Sequence, residues 1–104
     1  MTGAPHAVLY RFIVRAGSEE SFVAAWSGLT KLIHERAGSH GSCLHRVGDR
    51  EYLAYARWPS AAHFDAVSLE GADAEALRTG MRASCEEVET VHRMDVVQDL
   101  LATP

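Results

Sequence analysis

The chain has 104 residues, 47% of them hydrophobic, and a formal net charge of −4 at pH 7. This length and composition suit one compact domain over residues 1–104. Nucleic acids and anionic membranes attract concentrated Lys and Arg, whereas the basic residues here are scattered among a larger number of acidic ones, so we expect neither partner. The first residues show no basic stretch followed by an apolar core, and no apolar run reaches membrane-spanning length, so we expect a cytoplasmic protein.

Cysteine and histidine positions show no metal-binding pattern. Cys43 and Cys85 lie far apart and neither has a CxxC partner, so we expect two buried free thiols. The six histidines show neither HxH nor HExxH spacing. We therefore predict no metal site.

Residues 7–15 are the first predicted strand, because AVLYRFIVR is rich in β-branched and aromatic residues. Alternation gives the strand two faces with different uses. Val8, Tyr10, Phe12 and Val14 lie on one face, and Leu9, Arg11, Ile13 and Arg15 lie on the other.

A first helix is predicted to begin after Ser18, which suits an N-cap, and to end at Gly38. Glu19 and Glu20 in its first turn favour the positive end of the helix dipole. Apolar residues then recur at helical spacing, which indicates one buried side. They are Phe22, Ala25, Trp26, Leu29, Leu32 and Ile33.

Residues 40–47 and 51–58 are predicted to form a β-hairpin, because they flank the short, turn-forming connection at residues 48–50. Pro59 ends the second arm, since proline cannot donate a hydrogen bond to a neighbouring strand. Alternation directs one set of side chains on this arm towards the helices and the other set away from them. The first set is Tyr52, Ala54, Ala56 and Trp58, and the second is Leu53, Tyr55 and Arg57.

Two further helices and a last strand are predicted in the remaining sequence. A short helix begins after Ser60 and ends near Leu69. A third helix runs from Ala72 to about Thr90, and residues 91–101 have the β-branched content of a strand. The third helix has one apolar stripe, formed by Ala74, Leu77, Met81, Cys85 and Val88.

The resulting order, β-α-β-β-α-α-β, predicts an α+β fold in which an antiparallel four-stranded sheet carries its helices on one face. The other sheet face, here called the open face, is too apolar to be left in water as one patch. A second copy of the same sheet would cover it, so we predict a homodimer through this face. The open face consists of Leu9, Arg11, Ile13, Leu53, Tyr55 and Arg57.

Three runs resemble the antibiotic biosynthesis monooxygenase family over nearly the whole chain: YRFIVRAGSEESFVAAW, GSCLHRVGDREYLAYARWPS and ALRTGMRA. The most characteristic feature is the strand that ends at Trp58, with the turn that follows it. The resemblance implies a dimeric α+β barrel of ferredoxin-like subunits. The family includes cofactor-independent oxygenases, haem-degrading enzymes and members with no assigned activity, so the fold does not decide among them.

The cofactor-independent oxygenases bind an aromatic polycycle between sheet and helices, and the substrate supplies the electrons as an anion. The resemblance implies three catalytic residues in this sequence: Trp58 as aromatic wall and donor to oxygen, His45 as base, and Arg78 as partner of the anion. It implies no cofactor. Two polar family positions, a strand asparagine and a short-helix tyrosine, fall on Ala54 and Phe64, so either the substrate differs or the chemistry is absent.

The residues around Trp58 support two interpretations. Small Ala54 and Ala56 leave space that Trp58, Phe64 and Tyr10 would enclose as a site for a flat aromatic ligand, with Met81 as a further contact. Alternatively, Trp26, Phe64 and Leu77 fill that space as an ordinary core. His45 and Arg78 also have alternative interpretations without a catalytic role, as a structural histidine and a solvated arginine.

Arg82 is predicted to form an ion pair with Glu86, one helical turn further along the chain.

The sequence therefore predicts a cofactor-independent monooxygenase that oxidises a phenol, anthrone or hydroquinone to a quinone with dioxygen. The alternatives are a non-catalytic dimer that binds a small aromatic metabolite, and an interaction module. The haem-degrading branch is disfavoured, because its asparagine and tryptophan positions fall near Tyr10 and Val67 and the chain contains no asparagine. His63 alone would be available to ligate haem.

Overall fold

The structure is a computed structural model that describes residues 4–101. The strands are β1 (His6–Val14), β2 (Ser42–Arg46), β3 (Glu51–Trp58) and β4 (Cys85–Asp95), and the helices are α1 (Glu19–Ala37), α2 (Ala61–Ala66) and α3 (Ala72–Ala83). This order confirms the predicted β-α-β-β-α-α-β arrangement. Within residues 4–101, none of the helices combines the length and the hydropathy needed to cross a membrane.

The four strands form one antiparallel sheet in the order β2-β3-β1-β4. The helices cover one face of this sheet, as predicted. In the register between β1 and β3, Phe12 lies opposite Tyr52 and Tyr10 lies opposite Ala54. The predicted division of both strands into two faces is confirmed, because the side chains assigned to the helix side are buried, except for half-buried Tyr10 and Ala56.

Helix α1 supplies the centre of the core through Phe22, which is fully buried. Its ring centroid lies 5.0 Å from that of Phe12 and 5.2 Å from that of Tyr52, so the three rings form a tilted aromatic cluster. The helix ends at Gly38, whose φ of 77° is left-handed and favours glycine. The surrounding core also includes Val14, Ala54 and Cys85.

The predicted boundaries of the last helix and strand are wrong. Helix α3 ends at Ala83 and β4 begins at Cys85, so residues 85–90 are strand rather than helix. This longer strand pairs with β1 from Val14 back to His6 and satisfies backbone groups that a helix ending at Thr90 would leave unpaired. The short helix α2 also ends earlier than predicted, at Ala66, because Val67 is already extended.

On the open face, the charged side chains pair within the chain. Arg11 Nε donates to Glu51 Oε2 at 2.6 Å, and Arg57 Nη1 donates to Asp99 Oδ2 at 2.9 Å.

The two cysteines differ from the prediction in one respect. Both thiols are free, but Cys43 is exposed whereas Cys85 is buried.

Candidate active site

A cavity of about 310 Å³ lies between the sheet and helices α1 and α3. This volume is at the lower end of the range for small-molecule sites. The sheet contributes Tyr10, Phe12, Ser42, Ala56, Trp58, Val88 and Thr90 to its lining; α1 contributes Trp26, Leu29, Thr30 and Ile33; the following loop contributes Ser39; and α3 contributes Arg78, Met81 and Arg82.

Trp58 forms a buried wall of the cavity, with only 4% of its surface exposed. The Phe64 ring packs against it edge-on, with centroids 5.3 Å apart, and the His63 ring lies at 5.8 Å. His63 is itself held by a 2.7 Å hydrogen bond from its Nε2 to the Ala37 carbonyl oxygen. These contacts fix the indole ring on the side away from the cavity. Phe64 therefore supports Trp58 from behind and does not line the cavity itself, where the sequence had placed it.

The indole N–H of Trp58 is buried and has no hydrogen-bond partner among residues 4–101. A buried donor without a partner costs about 1–3 kcal/mol, which a bound acceptor recovers. Trp58 therefore contributes an apolar wall to the cavity and carries a buried indole N–H without a partner.

Tyr10 lines the cavity from the central strand β1. Burial raises the pKa of its hydroxyl, and the nearby positive charge of Arg93 offsets part of this rise. Tyr10 is therefore a neutral phenol at physiological pH and acts as a donor or apolar wall, not as a base. Ala54 and Ala56 were both predicted to line the cavity; Ala56 does, whereas Ala54, the neighbour of Tyr10 on β3, is fully buried in the core.

The alternative prediction was an ordinary core in which Trp26, Phe64 and Leu77 fill this space. Leu77, like Phe64, does not enter it. Leu77 packs against α1 at Gly28, where an added Cβ would come within 2.9 Å of Leu77 Cδ2. This close approach of the two helices takes Leu77 out of the cavity, and Trp26 lines the cavity without filling it.

Two arginines of α3 lie at the cavity, separated by one helical turn. Arg78 Nη1 donates to Glu75 Oε2 at 2.8 Å, and its Nη2 donates to the Leu69 carbonyl at 3.1 Å. The predicted pair between Arg82 and Glu86 is wrong, because Glu86 lies on β4 and faces Arg50 at 3.4 Å. Met81, between the two arginines in sequence, also lines the cavity.

His45 does not lie at the cavity. It is exposed on β2 and pairs in register with Leu53, whose side chain belongs to the open face. Side chains alternate along a strand, so His45 points away from the helices. His45 is therefore not among the residues that line this cavity, and its role as the base stays a prediction.

Behind the Trp58 wall lies a polar cluster that the sequence did not predict. His6 is 4% exposed; its Nδ1 donates to Asp95 Oδ1 at 3.3 Å, and its Nε2 accepts from Arg93 Nε at 3.2 Å. The Arg93 guanidinium lies 4.8 Å from the centre of the Phe64 ring, which in turn packs on Trp58. These contacts join residues almost ninety positions apart, so no local pattern indicated them.

The cavity can hold an anion but offers no general base. Aromatic and aliphatic groups make up most of the lining, with five hydroxyl side chains and two guanidinium groups. The lining contains neither a carboxylate nor a histidine. Across residues 4–101, no three His, Cys, Asp or Glu side chains are grouped in a way that would hold a metal ion.

No protein-family model and no curated protein sequence matches this chain. Several solved structures are similar to it. SnoaB, a cofactor-independent oxygenase from Streptomyces nogalater, is 20% identical with a TM-score of 0.74, over 94% of this chain and 98% of its own. A protein from Bordetella bronchiseptica, provisionally named an antibiotic biosynthesis monooxygenase, is 21% identical with a TM-score of 0.75, over 92% of this chain and all of its own.

A third similar structure, from Caulobacter crescentus and named in the same provisional way, is 14% identical with a TM-score of 0.72, over 91% of this chain and 92% of its own. The chain has the fold of antibiotic biosynthesis monooxygenases. The expected resemblance is thereby confirmed at the level of the fold.

Proposed function

We propose that this chain is a cofactor-independent monooxygenase of the antibiotic biosynthesis monooxygenase type, and that it oxidises an electron-rich phenol, anthrone or hydroquinone to a quinone with dioxygen. The observation that carries the proposal is Trp58, a buried wall of the cavity whose indole N–H has no partner among the described residues. The fold shared with SnoaB, a cofactor-independent oxygenase, supports the same reaction class.

The substrate is bound as an anion, because two guanidinium groups and no carboxylate line the cavity. Its proton leaves to water, since the lining contains no base and Tyr10 holds its own proton more tightly than usual. The substrate therefore loses its proton without a protein base, and the Arg78 guanidinium stabilises the anion. An apolar enclosure then leaves the electron-rich anion with few stabilising water contacts.

For an anthrone, the bound anion gives one electron to dioxygen, and the resulting radical and superoxide combine to form a C–O bond. Protonation gives a hydroperoxide. This loses water as the remaining hydrogen on that carbon leaves as a proton, and a carbonyl group results. One oxygen atom enters the quinone and the other leaves as water, so the substrate supplies all the electrons. The Trp58 N–H would donate to the peroxide oxygens as negative charge develops on them.

The test is anaerobic mixing with anthrone, addition of ¹⁸O₂ and mass analysis of the quinone. We expect quinone with one ¹⁸O atom to form faster than without protein. Trp58→Phe, which keeps an aromatic ring and removes the N–H, should slow the reaction about tenfold, since one hydrogen bond to a charged group contributes about 1.4 kcal/mol or more. Arg46→Gln, an exposed change on β2, is the matched control. A rate no faster than the spontaneous one across a panel of anthrones and hydroquinones would contradict the proposal.

A second candidate is a non-catalytic protein that binds an aromatic metabolite in the same cavity. Two observations favour it: the missing base, and apolar Ala54 and Phe64 at positions where the oxygenases have polar groups. This candidate predicts micromolar or tighter binding with no acceleration of oxidation. Quenching of tryptophan fluorescence together with the ¹⁸O₂ experiment separates the two.

We further propose that two copies pack through the open face to form a homodimer. Leu9, Ile13, Leu53 and Tyr55 are half-buried there, on the sheet face opposite the helices. Apolar side chains grouped on one sheet face favour a second sheet over water. Light scattering at micromolar concentration should give twice the mass of the chain, and a monomer mass would contradict this assembly.

A further inference from the structure

Arg82 differs from the other cavity arginine because its charge is not paired. Within the described part of the chain, Arg82 has no salt bridge, whereas Arg78 is bonded to Glu75 and to a backbone carbonyl. Apart from Arg46, every other arginine has a carboxylate or carbonyl partner. Arg46 is exposed on β2 and does not line the cavity, so Arg82 combines a free guanidinium with a position at the cavity.

Trp58 and Arg82 both line the cavity but differ in their exposure to solvent. Trp58 is buried, whereas Arg82 is exposed, so Trp58 belongs to the interior and Arg82 to the mouth. No lining residue carries a negative charge that would compete for Arg82. A flat ligand that packs its rings against Trp58 and extends to the mouth would place its outer substituent near Arg82.

We propose that Arg82 anchors a carboxylate substituent of the ligand at the cavity mouth, so that the preferred ligands are aromatic carboxylic acids. This inference rests on the proposed function, because it uses the same cavity. A carboxylate is the fitting substituent, since it is ionised at neutral pH and matches the two-pronged guanidinium geometry. The group that becomes the quinone carbonyl lies deeper, beside Trp58. Arg82 is then a specificity-determining residue with no part in the oxidation step.

Binding of two matched probes tests this assignment without relying on turnover. The probes are 2-naphthoate and 2-naphthamide, which share ring system and shape and differ in charge. By calorimetry we expect naphthoate to bind at least about tenfold more tightly than naphthamide, as for one charged hydrogen-bonded pair. Arg82→Gln should reduce that preference to about threefold or less and leave the naphthamide affinity unchanged, which also shows that the variant is folded. Arg46→Gln removes the other unpaired arginine and should keep the full preference.

The dependence of probe binding on salt concentration gives an independent test. Raising the ionic strength should weaken naphthoate binding and leave naphthamide binding unchanged, because Arg82 is exposed to solvent. Equal affinity for both probes would overturn the role of Arg82 and leave the proposed oxidation standing. A preference that persists in Arg82→Gln and disappears in Arg78→Gln would assign the anchor to Arg78 and overturn the inference. If neither probe binds, the inference fails, and turnover of anthrone then decides separately whether the proposed function fails with it.

Discussion

The space between the sheet and the helices is packed at one end and hollow at the other. At the packed end, Phe12, Phe22 and Tyr52 form a cluster of aromatic rings over fully buried Ala54. At the hollow end, the same layers enclose about 310 Å³ beside Trp58. The difference depends on which side chains enter the space. Phe22 enters it, whereas Leu77 is drawn aside against Gly28 and Phe64 packs behind the wall.

The two ends should respond in opposite ways to substitution, with the largest effect at the packed end. Phe22→Ala should lower the free energy of unfolding by about 3–5 kcal/mol, because it removes a fully buried ring from a close-packed cluster. Urea unfolding followed by circular dichroism measures this loss. A loss below about 1 kcal/mol would mean that the packed end is as loosely filled as the hollow one.

Two alanines on one strand give a sharper comparison. Ala54→Leu should destabilise the fold by about 1–3 kcal/mol, because the larger side chain has no space in the core. Ala56→Leu projects into the cavity, so it should change stability by less than about 1 kcal/mol and weaken ligand binding at least tenfold. Unfolding and naphthoate titration of both variants provide the measurement. Equal destabilisation by the two changes would contradict the division into packed and hollow ends.

A smaller effect is expected where α1 and α3 are tied together near the hollow end. Arg36 near the end of α1 donates to Asp73 near the start of α3, at 3.0 Å between Nη1 and Oδ1. This pair lowers the pKa of Asp73 to about 2. A carboxyl with a lowered pKa in the folded state contributes stability that is complete above about pH 4 and is lost as the pH falls towards 2.

Asp73→Asn should remove this part of the acid sensitivity and should speed amide exchange in the first turns of α3 at neutral pH. Both groups are largely exposed, so the overall stability should change little. Stability between pH 2 and 5, measured for wild type and variant, checks the sign. A variant with unchanged acid sensitivity would show that the pair has no role in joining the helices.

The fold was well predicted from the sequence, because most of its elements depend on local patterns of residues. Alternation along β1 and β3 assigned both faces, and helical spacing with a terminal glycine defined α1. The end of α3 was missed because Cys85 and Val88 continue a helical stripe, while the deciding factor is the pairing of residues 85–95 with the whole of β1. Such long-range pairing overrides local propensity.

The candidate site was only partly predictable. Trp58, Tyr10, Arg78 and Met81 line one cavity, because strand and helix periodicity places them on the facing sides of two layers. His45 lies away from the cavity because strand alternation decides its direction, whereas the family resemblance named only a residue type. The cluster around His6 and the free charge of Arg82 depend on contacts between distant elements and on the position of the last strand, which the sequence did not reveal.

The central claim is that the buried indole N–H of Trp58 becomes the hydrogen-bond donor to a bound aromatic molecule. The most direct test is the ¹⁵N–¹H spectrum of the two tryptophan side chains, assigned with Trp58→Phe and recorded during titration with a quinone that cannot be oxidised further. The account predicts a saturable downfield shift of the Trp58 indole proton at the ligand concentrations that quench fluorescence. A Trp58 signal that stays unchanged while the ligand binds would contradict it.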